Sequence, residues 1–312
     1  MPSPRMPIPI AVFAVVATLT WFQNVHAADE FPRELTQFEP IAANPVFTAA
    51  GDGHWDVKIR ERGWIIREAH QWRMWYTGYD GTRPGRKLLG YATSPDGLTW
   101  TRHAGNPIHR EHWVEDICIV PHDGTLYMFA EGEQDRAQLL TSRDGLGWTR
   151  VGRLDVRLKS GEPIADGPYG TPTAWHEGGI WNLFYERGDK GIWLARSTDL
   201  KVFTNVQDEP VLLPGPDEFD RDLIAMNQII QHDGRYYAVI HGAKKPADPS
   251  QPSLWATGLA TSTDLIHWTK FAGNPLRPIA ENKSSGLLIP DGRRFRLYTM
   301  HNRVDVHVNR KD

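Results

Sequence analysis

Two aspartates open apolar runs in the same way. Asp56 stands before Val57 in HWDVKI, and Asp116 follows Glu115 in EDICIV. A third acidic side chain, Glu186, ends an aromatic run in FYERGD, beside Arg187. Carboxyl groups at strand ends that share one cavity can divide the labour of acid–base chemistry: one is kept protonated to donate, another ionised to accept. A lone Asp at a strand start is ordinarily a turn or cap residue. Two at matching places ask what fold would bring them together.

The elements that would position them are written in a repeat. ATSPDGLTW (92–100), LTSRDGLGW (140–148), ARSTDLKVF (195–203) and ATSTDLIHW (260–268) each end a strand on Ser, turn on Asp and resume on an aromatic. An X-Pro signature follows each, at Asn106, Glu162, Glu209 and Asn274, and an extra copy stands at Asn44. These positions are 62, 56, 47 and 65 residues apart, a period that means an array of supersecondary units. Within each period come a short apolar run, a turn, and an aromatic strand such as RMWYTGY or LYMFAEG. The Ser-Asp-Trp strand is third, and the X-Pro segment is expected to be fourth. Five units of four antiparallel strands predict an all-β, five-bladed β-propeller over residues 28–312. Its ring is expected to be closed by the N-terminal strand, with NPVF at 44–47 as the outer strand of blade five.

The repeat also separates structure from function. Trp100, Trp148 and Trp268 recur at equivalent places and are expected to pack between blades. Asp96, Asp144, Asp199 and Asp264 are expected to hold turn amides. Function belongs where the blades differ: at the start of each first strand, which lines the axis, and in the loop after each second strand. Those positions hold His54, Trp55, Asp56, Asp80 and Arg83 in blade one, and Trp113, Glu115, Asp116 and Glu131 in blade two. Blade three offers Tyr169, Thr171, Glu186 and Arg187; blade four offers Asn227 and His241; blade five offers Lys283, Ser284, His301 and Arg303. Acids, bases and aromatic faces around one funnel suit a polyhydroxylated ligand, because rings stack on sugar C–H faces and charged groups take hydroxyls.

Other features set bounds. The 312-residue chain carries a net charge of −3 and has no basic or acidic tail, which argues against a nucleic-acid partner. Residues 1–27 read as a secretory signal peptide: Arg5 is their one charged side chain, an apolar run spans 8–22, and VHA precedes Ala28. The expectation is a secreted or periplasmic protein with no membrane partner after cleavage. Cys118 is the only cysteine, so no internal disulfide is available and the thiol reads as a buried small apolar group.

On GYATSPDGLTW with NPI, WDVKI with WRMWYTGYDG, and EDICIVPHDGTLYMFAEG, the chain resembles the five-bladed propeller glycosidase superfamily across nearly all of residues 40–310. That superfamily includes family-43 arabinanases and xylosidases, invertase-like fructosidases, neoagaro-oligosaccharide hydrolases and mannosyl-oligosaccharide phosphorylases. The resemblance implies a glycoside hydrolase, inverting, acting on a plant or algal oligosaccharide. It makes Asp56 the general base and Asp116 the acid or the group that tunes it, with Glu186 as the alternative acid. Glu115-Asp116 is similar to the phosphorylase group's Glu-Asp-Pro-Arg stretch, but Ile117 and Cys118 replace Pro and Arg. A phosphorylase would need a phosphate cradle, for which Lys283, His301 and Arg303 are candidates. The acidic Glu that usually opens a later axial strand is absent from YGTPTA and AMNQII, which keeps a non-catalytic carbohydrate-binding propeller as a third reading. Some relatives hold calcium or another divalent cation at the centre; His54, His241 and His301 have no ligand spacing, and no metal ligand is assigned. The Pro-rich insert at 241–255 is expected to rim the pocket.

Overall fold

The structure, a computed structural model, describes residues 30–310, so the expected signal peptide lies outside the described residues. Five separate sheets follow one another along the chain, each built on an antiparallel run of consecutive strands. Their first strands are Lys58–Arg67, Glu115–His122, Gly170–Glu177, Leu223–His232 and Gly286–Asp291. These pack side by side in a closed ring, the fifth against the first. This is the five-bladed propeller that the repeat predicts.

The aromatic second strands, such as Trp72–Tyr79 and Thr125–Gly132, are buried over most of their length because blades cover both of their faces. Trp148 meets Trp75 of the preceding blade edge-on, and Trp268 meets Phe184 in the same way, so these repeat aromatics are packing between blades. The repeat aspartates are turn residues. Asp96 Oδ1 accepts N–H groups of Leu98 and Thr99, and Asp144 Oδ1 those of Leu146 and Gly147.

Two expectations about the strands are corrected. The fourth strands are the residues directly after the turn aromatic, Thr101–Arg102, Thr149–Arg153, Val202–Asn205 and Thr269–Lys270. The X-Pro segments lie beyond them, and the three Asn-Pro copies work as clamps. Asn106 takes both backbone groups of Tyr91, Asn274 those of Leu259 and Asn44 those of Val306. A side-chain amide can satisfy one N–H and one C=O together, so Asn finishes a sheet edge that a two-residue strand leaves open. In the fifth sheet the outer strand is Phe38–Pro40, paired with Val304–Asn309, while Phe47 makes only an isolated bridge to Val304. The third sheet carries a fifth strand, Asp155–Arg157, parallel to Val202–Asn205.

Among the described residues no helix is long and apolar enough to cross a membrane.

Candidate active site

Each of the first four inner strands breaks register near its start. The irregularities fall between Arg60 and Trp64, Glu115 and Cys118, Gly170 and Thr173, and Met226 and Gln228. A bulge puts extra residues on one strand and re-aims their side chains. Here it aligns Glu61, Asp116 and Thr171, whose φ angles are 55, 49 and 43°. Left-handed backbone costs a non-glycine residue on the order of 1 kcal/mol or more, and such outliers gather at functional sites. The residue before each bulge pairs with the second strand, giving Arg60 with Thr77, Glu115 with Glu131, Gly170 with Glu186 and Met226 with Ile240, and in blade four His241 lies one pair further out, opposite Ala225. From these stretches Arg60, Glu61, Glu115, Asp116, Glu131, Thr171, Glu186 and His241 line one axial cavity of about 350 Å³.

Arg62 closes the floor of that cavity. Its fully buried guanidinium donates to the carbonyls of Asp116, Pro172, Met226 and Asn227 and to the Thr173 hydroxyl, at 2.6–2.9 Å. One side chain from blade one thus ties the inner strands of blades two, three and four together. Only Arg has enough donors in a fixed plane for this. Its charge lies beneath the acidic groups and favours their ionised forms.

Seven carboxyl groups line the cavity: Glu61, Glu115, Asp116, Glu131, Asp135, Glu186 and Asp189. Burial raises Glu115 to about 7 against the pull of Arg60, and raises Asp189 to about 7 with help from Glu186. Asp116 lies well above the ordinary carboxyl range, first through burial and then through Glu61. Glu131 is raised by burial and by Asp116. Glu186 is raised by burial too, but the N–H groups of Asp189 and Gly170 oppose the shift.

The hydrogen bonds distinguish these groups. Asp116 is 6% exposed, and its Oδ1 is buried with no partner. Glu186 accepts the Gly170 N–H through Oε1 and the Asp189 N–H through Oε2. Glu131 Oε2 accepts the Thr171 N–H at 2.9 Å. Two successive amides, of Gly170 and Thr171, therefore hold glutamates from two blades. Gly170 has to be glycine, because a Cβ there would collide with both carboxylates. His241 is neutral, lowered to about 3 by burial, and its Nδ1–H donates to Asn227 Oδ1. That tautomer leaves Nε2 as an acceptor. Trp255 lies edge-on to His241 and brings an aromatic face into the lining.

Glu115, Asp116 and Glu131 offer oxygens within 4.8 Å of one another, a donor set that suits a hard divalent cation. Such an ion would lower the pKa values of all three and polarise ligand oxygens. Arg60 Nε, 3.5 Å from Glu115 Oε2, already supplies positive charge there.

The sequence-predicted residues divide. Asp116, Glu186, Glu115, Glu131, Thr171, His241, Ser284 and His301 all line the cavity, and Asn227 lies behind His241. Asp56 does not: it is 1% exposed and bound to Tyr76 and Arg102, so it braces blade one. The strand proper begins at Lys58, and the blade-one counterpart of Asp116 is Glu61. His54 is exposed, and Trp55 packs on Tyr76. Asp80 holds a local turn through Thr82, and Arg83 is exposed beyond it. Tyr169 bonds the Leu154 carbonyl, and Arg187 the Ala165 carbonyl. Trp113 covers Lys87, outside the cavity. Lys283 and Arg303 both pair with Asp305, so the cationic cradle expected of Lys283, His301 and Arg303 is not assembled. From the 241–255 insert, only its end residues His241 and Trp255 reach the lining.

Sequence reasoning missed Arg60, Glu61, Asp135 and Asp189. A spacing signal was available for Glu61. Counting back from the second-strand aromatics makes ERGW the counterpart of DIC, once a bulge is allowed.

No family model matches the chain. The uncharacterized protein Rv1502 of Mycobacterium tuberculosis is 23% identical over 222 residues, covering 65% of this chain and 73% of that protein. Among solved structures, a glycosyl hydrolase from Bacteroides ovatus superposes with a TM-score of 0.70 at 18% identity, over 88% of this chain and 93% of that one. A structure reported for the GH130 family of mannoside phosphorylases, as containing hydrolases that target β-1,2 mannosidic linkages in Candida mannan, gives 0.69 at 17% identity, over 88% and 93%. The β-1,2-mannobiose phosphorylase of Listeria innocua gives 0.65 at 14% identity, over 87% and 95%. This is the fold of the propeller glycosidases and phosphorylases. At these identities the likeness concerns the fold, and chemistry has to be argued from the cavity.

Proposed function

We propose that the protein cleaves a glycosidic bond in the axial cavity, by hydrolysis with inversion. Asp116 is the general acid and Glu186 the general base. The observation that carries this reading is the asymmetry between the two carboxyl groups. Asp116 accepts no hydrogen bond and is driven toward the protonated form by burial, as a donor to a leaving oxygen must be. Glu186 is held by two amide N–H groups, which favour its ionised form and fix its direction. In the reaction Asp116 gives its proton to the glycosidic oxygen as the bond to the anomeric carbon breaks. Glu186 takes a proton from the water that attacks the opposite face.

Arg60, neutral His241, Ser284, His301 and the Trp255 ring supply sugar contacts of both polar and stacking kinds. The fold neighbours' names support carbohydrate as the substrate class. Hydrolysis is preferred to phosphorolysis because Lys283 and Arg303 are engaged by Asp305 outside the cavity. The leader-like sequence of residues 1–27 supports action outside the cytoplasm.

The test is product formation from a panel of plant, algal and mannan-type oligosaccharides, with and without inorganic phosphate, followed by NMR of the anomeric proton. Hydrolysis requires free sugar at a rate independent of phosphate, with inverted configuration. Sugar phosphate would establish the phosphorylase. Saturable sugar binding with no product from that same ligand would establish a binding propeller.

A further inference from the structure

A second cavity, of about 60 Å³, lies on the other side of the turn at 132–136 and shares no lining residue with the axial one. The turn is a common wall: Asp135 faces the axial cavity, while Glu133 and Arg136 line the second. Three arginines, Arg136, Arg150 and Arg153, meet there.

The site is built rather than a chance cluster of surface charge. Gln138, 3% exposed, spends both ends of its amide holding it: Nε2 donates to the Trp113 carbonyl and Oε1 accepts Arg150 Nε at 2.7 Å. Two lining donors, Arg136 Nε and Trp113 Nε1, are buried without an acceptor. Buried donors are normally satisfied, so an orphaned pair on one small cavity points to an acceptor that belongs there. Arg136 shares its charge with the exposed Asp166, and Arg150 and Arg153 pair with no carboxylate among the described residues. The one acid in the lining, Glu133, is exposed and unpaired.

We infer that this cavity is an oxyanion subsite, taking a carboxylate, sulfate or phosphate group on the arginine and indole donors. Guanidinium groups recognise such anions by charge-assisted, planar hydrogen bonding. Its place across one turn from the axial cavity fits an acidic group carried on a glycan that occupies both. That part rests on the proposed carbohydrate function; the anion site itself does not.

The experiment is calorimetric titration of the full chain with inorganic sulfate, with phosphate, and with hexuronate-containing oligosaccharides beside their neutral counterparts. Arg153→Gln and the double variant Arg136→Gln/Arg153→Gln are compared with Arg143→Gln, an exposed arginine elsewhere in the same blade. Loss of one charged donor is expected to weaken anion binding about tenfold, while Arg143→Gln binds as the wild type does. Arg153 is exposed and pairs with no carboxylate among the described residues, so its replacement is expected to leave the melting curve unchanged. Sensitivity to Arg153 with the free ions assigns the site to a separate anion. Sensitivity only with the acidic saccharide assigns it to the glycan. Binding in neither arm, or equal weakening by Arg143→Gln, overturns the subsite. The readout needs no turnover, so Asp116→Asn protein must give the same result even if the catalytic reading fails.

Discussion

Asp96 and Asp116 are the same residue type in the same fold, each at a strand end, and their chemistry is opposite. Asp96 belongs to the turn that recurs in four blades. Its carboxylate is met by the amides of Thr99 and Leu98, which bring it down to about 2. Asp144 is lowered in the same way by Leu146 and Gly147. Asp116 belongs to an axial bulge whose occupant differs in every blade. No donor reaches its buried Oδ1, and burial raises it well above the ordinary carboxyl range. What repeats satisfies the backbone and makes blades. What does not repeat converges on the axis, and there one carboxyl oxygen, Asp116 Oδ1, is left unsatisfied at a cost in stability.

The largest effect expected from this contrast is catalytic. Asp116→Asn should lower kcat by roughly 10³-fold with little change in thermal stability, the usual scale for loss of a general acid. Glu186→Gln should do the same and also flatten the acidic limb of the pH profile.

Next comes the guanidinium beneath the site. Arg62→Met takes this donor from the carbonyls of Asp116, Pro172 and Asn227 and leaves the Met226 carbonyl to Thr173 alone, and should cost about 3–5 kcal/mol by chemical denaturation. Arg62→Met protein that still folds should show its activity profile shifted to higher pH, because the carboxyl groups above would lose their positive neighbour.

Glu115 gives a smaller effect with a definite sign. Its folded-state value is about 7, raised from 4.5, so the folded protein holds a proton that the unfolded chain has released. Stability should therefore fall as pH rises from about 4.5 to about 7 and level off above. Glu115→Gln should remove on the order of 2 kcal/mol of that fall, seen as a higher Tm than wild type at pH 8 and little difference at pH 4.

The smallest effect lies on the repeating side. Asp96→Asn should cost about 1 kcal/mol and leave kcat within twofold, since it loosens one turn. Asp56→Asn should behave similarly, with loss of stability through Arg102 and Tyr76 and no loss of chemistry per folded molecule.

These contrasts mark where the sequence is readable. Repetition gives the propeller, the interblade tryptophans and the turn aspartates, because local turn chemistry and apolar periodicity leave a trace in every copy. Glu131, Glu186 and His241 are legible because each stands at or near the end of a second strand that its aromatic and apolar run marks out. Glu61 is not, since a bulge shifts register without changing composition, and an Asp five residues earlier in HWDVKI imitates the expected motif. Asp135 and Asp189, in loops at φ of 52 and 58°, depend on turn geometry that neighbouring residues do not specify. The X-Pro segments mislead differently. In the three Asn-Pro copies the regular spacing marks a clamp on the sheet edge, which a periodicity argument cannot distinguish from a strand.

The most direct measurement compares Asp116→Asn with Asp96→Asn, at matched folded concentration, for product release from the oligosaccharide found to be the substrate. The account predicts turnover reduced about a thousandfold in the first and unchanged in the second. Equal activity of Asp116→Asn and wild type would contradict it, and would move the chemistry away from the axial bulges.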